Sequence, residues 1–228
     1  QIKRKNNLYI IEDAAGAIGA EYRGKKVGSL ADITVFSLHP RKFITTGEGG
    51  IIATDNDIWA DWMNSYKHFG MAMNNASREG IRFDIVGTNY KLTNFQSAIG
   101  LGQMEHIDML LKRRKSISAR YNSLFAHVEG ITFPKTTTNG NHSYQSYCIL
   151  TEARDQIMNT LRPQGVEVQI GTYSLHMHPA FQDGQFFTIS GKMNGSISAY
   201  NKCLTLPLFY DMTEEEQDYI VSRIKELI

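Results

Sequence analysis

An aspartate, a serine and a lysine stand at positions where α/β proteins build ligand sites. Asp13 follows the apolar run Leu8-Tyr9-Ile10-Ile11, Ser37 ends the run Ile33-Thr34-Val35-Phe36-Ser37, and Lys42 lies just beyond, in Ser37-Leu38-His39-Pro40-Arg41-Lys42. Continuous apolar runs of strand length suit strands covered on both faces, as in a parallel sheet. Parallel strand ends converge on one crevice, so the three side chains can meet there. Their chemistry suits one cofactor. A lysine amine forms an imine with the aldehyde of pyridoxal phosphate (PLP). A carboxylate beside the pyridine nitrogen keeps that nitrogen protonated, which strengthens the electron sink, and a hydroxyl can hold the phosphate. The same residues also read as an exposed loop lysine, a capping aspartate and a strand-end serine. Spacing alone leaves both readings open.

The surrounding elements must position these groups. A short basic stretch, residues 1–5, leads into the first run, and residues 50–54 form a third strand-like run. Asp55-Asn56-Asp57 supplies a turn and a cap for a helix over 58–66, and 95–104 and 110–125 read as further helices. Lys112-Arg113-Arg114-Lys115 reads as a solvated face. Gly47-Glu48-Gly49-Gly50 is not followed by Gly-Lys-[Ser/Thr], so it is a tight turn rather than a P-loop. From Pro134 a second unit begins: a loop over 136–141, a strand over 144–150, a helix over 155–161 closed by Pro163 and Gly165, and an alternating strand over 166–170. Thr213 with Glu216 matches a capping box, and Tyr219, Ile220, Ile224 and Leu227 fall on one face of the helix that follows. The expected fold class is α/β: the latter part of a large domain with a mostly parallel sheet, residues 1–133, then a smaller α+β domain, residues 134–228.

Composition narrows the functional classes. Of 228 residues, 42% are hydrophobic and 21% charged, as in a soluble globular protein. Basic and acidic residues number 24 and 23, which gives no electrostatic reason to expect a nucleic acid or a membrane surface as partner. No apolar run approaches a membrane span and no apolar signal segment follows Gln1, so a cytoplasmic location is expected. Cys148 and Cys203 lie far apart and outside any CxxC pattern, and read as reduced core thiols.

Several motifs occur in a fixed order: Ile11-Glu12-Asp13-Ala14-Ala15, Gly24-Lys25-Lys26-Val27-Gly28-Ser29, Phe36 to Lys42, and Thr45-Thr46-Gly47-Glu48-Gly49-Gly50. Asp84 to Leu92, Phe95 to Leu101, and Leu206-Pro207-Leu208-Phe209 with Met212-Thr213 follow. The series closely resembles the DegT/DnrJ/StrS family of sugar aminotransferases, fold-type I PLP enzymes, over nearly the whole chain. The resemblance implies that Lys42 is the Schiff-base lysine and acid/base catalyst, Asp13 the pyridinium partner and Ser37 a phosphate ligand. It makes Asn89 a ligand to the phosphate of a neighbouring subunit, which implies a homodimer. Lys91 would meet the substrate acid and His176 would lie near the nucleotide-sugar site, while His39 and His178 read as structural. Glutamate would donate the amino group and a nucleotide-linked deoxy sugar would accept it.

Two departures from the family stand out. Gly16 replaces a Gln or His usual three residues after the aspartate, and the family's first half, with part of its phosphate cradle and its ring-stacking aromatic, has no counterpart here. The chain by itself is therefore expected to be inactive. The alternatives are a PMP-dependent sugar dehydratase of the same family, in which histidine replaces the lysine and against which Lys42 counts, or a non-catalytic regulator or remnant.

Overall fold

The computed structural model describes residues 2–72, 80–182, 184 and 187–228. The chain forms two compact units, Gln1–Met109 with Thr137–Gln145, and Leu110–Thr136 with Ser146–Ile228.

In the first unit the basic stretch turns into a short helix, α1 (Ile2–Asn6), and the elements β1 (Ile11–Asp13), β2 (Glu21–Tyr22), β3 (Lys25–Lys26), β4 (Ile33–Ser37), β5 (Gly50–Ala53), α2 (Asp57–Tyr66) and α3 (Asn94–Met104) follow. β1, β4 and β5 form one sheet in that order, and β2 pairs with both β3 and β6 (Gly140–Asn141) in a second. The first strand begins later than the apolar run does. Ile11 is paired with Ile33, where β4 starts, whereas upstream the Asp32 carboxylate takes the Ile10 amide at 2.8 Å and Asp32 also pairs with Lys3. β1 runs parallel to β4, but β5 runs antiparallel to it, with Ser37 opposite Gly50. The link from Ser37 to Gly50 holds no helix, and a parallel return would need a crossover. Only the central strand is covered as the apolar runs suggest: Thr34 is 0% exposed, while Ile11 is 70% exposed in this chain. Asn56 caps α2 by accepting from the Trp59 amide at 3.1 Å, and Thr93 and Gln96 form a capping box on α3.

The second unit is built on α4 (Ile107–Phe125) and the antiparallel sheet β7 (Tyr147–Leu150), β9 (Cys203–Leu206), β8 (Gln169–Ile170), with β9 central. The helices α5 (Arg154–Leu161), α6 (Asn194–Lys202) and α7 (Glu214–Lys225) complete it. Its core gathers Tyr121, Phe125, Ile149, Ile157, Leu161, Leu204 and Ile224, all fully buried. The Tyr121 ring stacks on Tyr147 at 4.8 Å between centroids, and its hydroxyl donates to the Pro207 carbonyl at 3.1 Å. Burial pushes the ionisation of that phenol well upward, so it stays a neutral donor. The basic stretch of α4 is not a fully solvated face. Arg113 donates to the Tyr210 and Met212 carbonyls, and desolvation lowers the pKa of the partly buried Arg114. On α7 Ile220 and Ile224 are buried as expected, but Val221 joins them and Tyr219 faces outward. Among the described residues no helix is long and apolar enough to cross a membrane.

The capping box on α7 forms as its sequence indicates. Thr213 Oγ1 accepts from the Glu216 amide at 3.1 Å, and Glu216 accepts from the Thr213 amide at 2.8 Å. Thr213→Ala removes one half of this exchange and is expected to cost about 1 kcal/mol of stability. Thr213→Ser should restore most of it, as read from the midpoint of denaturant unfolding.

Candidate active site

Lys42 lies on the connection between β4 and β5, and its backbone is held from several directions. The Leu38 amide donates to the Gly49 carbonyl at 2.9 Å, and the Thr46 amide donates to the Leu38 carbonyl at 3.1 Å. Leu38 and Ile44 are buried, at 2% and 1% exposure. Two glutamine side chains act as clamps. Gln145 accepts from the Phe43 amide at 2.9 Å and donates to the Arg41 carbonyl at 2.6 Å, bracketing Lys42 on both sides. Gln103 accepts from the Thr45 amide at 3.1 Å and donates to the Thr45 carbonyl at 2.6 Å. A third, Gln96, donates to the Glu48 carbonyl at 2.9 Å. Sequence reading gave these three no role at the lysine loop, because a glutamine has no chemical signature of its own and 104 positions separate Gln145 from Arg41. Gln145 also passes Gly16, where a Cβ would sit 3.4 Å from its Cγ. The turn after Lys42 requires glycine at position 49, whose φ is 156° and where a Cβ would lie 2.8 Å from Thr46 Oγ1. His39 is a loop residue, its Nδ1 accepting from the Arg41 amide at 3.1 Å.

Asp13 pairs with Val35 across the parallel ladder, and Ser37 lies two residues beyond Val35. Paired residues and those two apart share a sheet face, so Asp13 and Ser37 project to one side. Glu12 and Thr34 take the other side, hydrogen-bonded at 3.1 Å. Asp13 is not buried in this chain, and one of its oxygens accepts from the Ala15 amide at 3.1 Å. Ser37 Oγ accepts from the His39 amide at 3.3 Å, at the start of the segment that carries Lys42. Among the described residues neither Asp13 nor Lys42 forms an ion pair. A carboxylate, a hydroxyl and an amine are thus presented without internal neutralisation, a donor set that fits an aldehyde-bearing aromatic phosphate.

Asn89 and Lys91 come together at a second place in the same unit. Residues 88–90 lie against the end of α2. The Phe69 amide donates to the Thr88 carbonyl at 2.9 Å, the Thr88 amide to Tyr66 at 2.8 Å and the Tyr90 amide to Lys67 at 3.0 Å. This approach passes Gly70 and Gly87, where a Cβ on Gly87 would lie 2.6 Å from the Tyr66 carbonyl oxygen. The Lys91 amine donates to the Asn89 side-chain oxygen and stands 4.0 Å from the Phe69 ring centroid. Both residues are exposed. His176 belongs to the second unit, where its Nδ1 is 3.0 Å from Ser174 Oγ, itself 2.8 Å from Ser196 Oγ. His178 packs between Tyr173 and Tyr200, and its Nε2 is buried with no hydrogen-bond partner among the described residues.

The fold is that of aminotransferase-type α/β chains. The chain belongs to the DegT/DnrJ/EryC1/StrS aminotransferase family, which it matches over residues 1–225. It is similar to the GDP-perosamine synthase of Caulobacter vibrioides, 34% identical over 234 residues, a match covering 100% of this chain and 61% of that protein. A solved DegT DnrJ EryC1 StrS aminotransferase from Brucella abortus is 26% identical, with a TM-score of 0.85 over 99% of this chain and 58% of its own. DesV of S. venezuelae, solved in complex with a ketimine intermediate, is 25% identical with a TM-score of 0.87, over 99% and 59%. The chain therefore spans about three fifths of the length of these relatives.

The glutamine clamps make a testable statement about the lysine loop. Gln145→Leu keeps the bulk but removes both amide contacts, each worth about 1 kcal/mol net. Hydrogen exchange at the Phe43 amide is expected to quicken by about thirtyfold, since the two contacts sum to about 2 kcal/mol and 1.4 kcal/mol is a factor of ten. Exchange at the parental rate would show that Leu38 and Ile44 hold the loop unaided.

Proposed function

We propose that the protein is a PLP-dependent aminotransferase that moves an amino group from glutamate to a keto group of a nucleotide-linked deoxy sugar. The observation that carries this reading is the lysine amine of Lys42, free of any ion pair among the described residues, on a clamped loop that leaves the strand whose face presents Asp13 and Ser37. Family membership and the sugar-directed names of its relatives support it. PLP, when bound, supplies a carbonyl that condenses with amines and a ring that withdraws electrons. Lys42 Nζ would hold PLP through that carbonyl. The same amine would take the proton from the substrate carbon and return it, a general acid–base role worth typically about 10²–10⁴-fold. The Asp13 carboxylate would hold the ring nitrogen and favour its protonated form. Ser37 Oγ donates to the phosphate. Asn89 serves the phosphate of a second copy in a homodimer, Lys91 meets the substrate carboxylate, and His176 lines the nucleotide-sugar site.

Borohydride treatment of the full protein loaded with PLP, followed by peptide mapping, is expected to place the pyridoxyl group on Lys42. A label on Lys26 or Lys91 instead would overturn the assignment. Lys42→Ala should lower glutamate-dependent amine transfer by at least about 10²-fold, the lower bound for such a step. Asp13→Asn keeps the shape and removes the charge. Turnover should fall with PLP still bound, and unchanged turnover would remove Asp13 from the mechanism.

A further inference from the structure

Cys148 and Cys203 are distant in sequence but adjacent in the second unit. In the β7–β9 ladder Cys148 pairs with Thr205 and Leu150 with Cys203. Paired residues and those two apart share a face, so the two cysteines are diagonal neighbours on one side of the sheet. Tyr147, Ile149, Leu204 and Leu206, on the other side, are buried in the core. Both thiols are free. Their surroundings differ. Cys203 is 7% exposed, and its sulfur lies over the backbone of Gly171, where a Cβ would come within 2.2 Å of it. Cys148 is only half-buried, and its sulfur lies 3.3 Å from Thr205 Oγ1.

We propose that this pair is a site of thiol–disulfide exchange, with Cys148 the attacking thiol toward small-molecule disulfides of the glutathione class and Cys203 the resolving thiol. The Cys148 thiolate attacks one sulfur of the small disulfide, forms a mixed disulfide and expels one thiolate. Cys203 then loses its proton and attacks the Cys148 sulfur, closing the Cys148–Cys203 bond and expelling the second. The protein loses two electrons and two protons, and one small disulfide becomes two thiols, so the step balances. Diagonal neighbours are spaced about 7–8 Å, beyond the usual Cα separation of about 4.4–6.8 Å in a disulfide. The bond must draw β7 and β9 together, which favours a readily reversed couple over a permanent staple.

The electrostatics agree with this division of labour. Hydrogen bonds from Cys203, and from Thr205 and Ser146, lower the Cys148 thiol to about 6 against the opposing effect of burial. Donating to Cys148, and then burial, push the Cys203 thiol up, with the Arg154 guanidinium acting in the opposite sense. The thiolate is the attacking form, and Cys148 is both the group that ionises first and the one that solvent reaches.

The test treats the native full protein with oxidised glutathione, quenches it with a thiol-blocking reagent and maps its peptides. A Cys148–Cys203 cross-link reversed by reduced glutathione is expected. Cys203→Ser should instead accumulate the glutathione adduct on Cys148, and Cys148→Ser should leave Cys203 unmodified. Alkylation of Cys148 should level off above about pH 7, whereas an ordinary thiol, with a pKa of about 8.5, is still gaining rate there. In Cys203→Ala, which lacks the main donor, the plateau should move to higher pH. An adduct on Cys203 in Cys148→Ser, a native protein that stays fully reduced, or an alkylation profile of ordinary thiol form would each overturn the proposal.

Discussion

The peptide group of Leu38 is the constraint on which the candidate site depends. Its amide is tied to Gly49 and its carbonyl receives both the Thr46 amide and the Thr45 hydroxyl, while its side chain is buried. A loop carrying a charged side chain cannot be fixed by burying that side chain, so it is fixed through its backbone. Unpaired polar backbone groups are costly to bury, and here each neighbour of Lys42 has been given a partner. Arg41 and Phe43 take theirs from Gln145, and Thr45 takes its own from Gln103.

The second constraint is register. Asp13 reaches the Ser37 side of the sheet only because it pairs with Val35. A slip of one residue would send its carboxylate to the opposite face. Contacts on both sides of the pairing oppose that slip. Asp32 holds the Ile10 amide, Thr34 reaches Glu12, and the Ala14 amide donates to the Val35 carbonyl at 2.9 Å. Glu12 and Asp13, adjacent in sequence and alike in charge, are thereby assigned to different tasks by the pleat of the strand.

The second unit solves a different problem. Its central strand, β9, is flanked on both sides, so one face can be committed wholly to the core around Tyr121. The other face is half-open, and there the two cysteines meet. Gly171 belongs to this arrangement. Its amide donates to the Cys203 carbonyl at 2.9 Å, and the absence of a side chain gives the thiol its place.

The bounds of α2, α3 and α5 to within one residue, the caps at Asn56 and Thr213, the extent of β4, the turn at Gly47–Gly50 and the family were legible in the sequence, because each depends on residues close to one another along the chain; α1 and α6 were not read, and α4 begins at Ile107 rather than at 110. Strand direction was not. The run 50–53 reads the same in a parallel or an antiparallel pairing, and the direction of β5 follows from a connection that lacks a crossover helix. Burial was not legible either. The apolar residues of β1 and β5 suggested strands covered on both faces, yet only β4 has neighbours on both edges and a fully buried residue. Local pattern named Asp13, Ser37 and Lys42 as candidates, the family resemblance added Asn89, Lys91 and His176, and the tertiary structure decided their company. It set Asp13 and Ser37 on one face, coupled Lys91 to Asn89, and placed His176 in the other unit beside Ser174. It also brought in Gln145, Gln103 and the Cys148–Cys203 pair, none of which has a local signature. Their roles come from contacts between residues far apart in the chain, and such contacts exist only once the backbone has closed on itself.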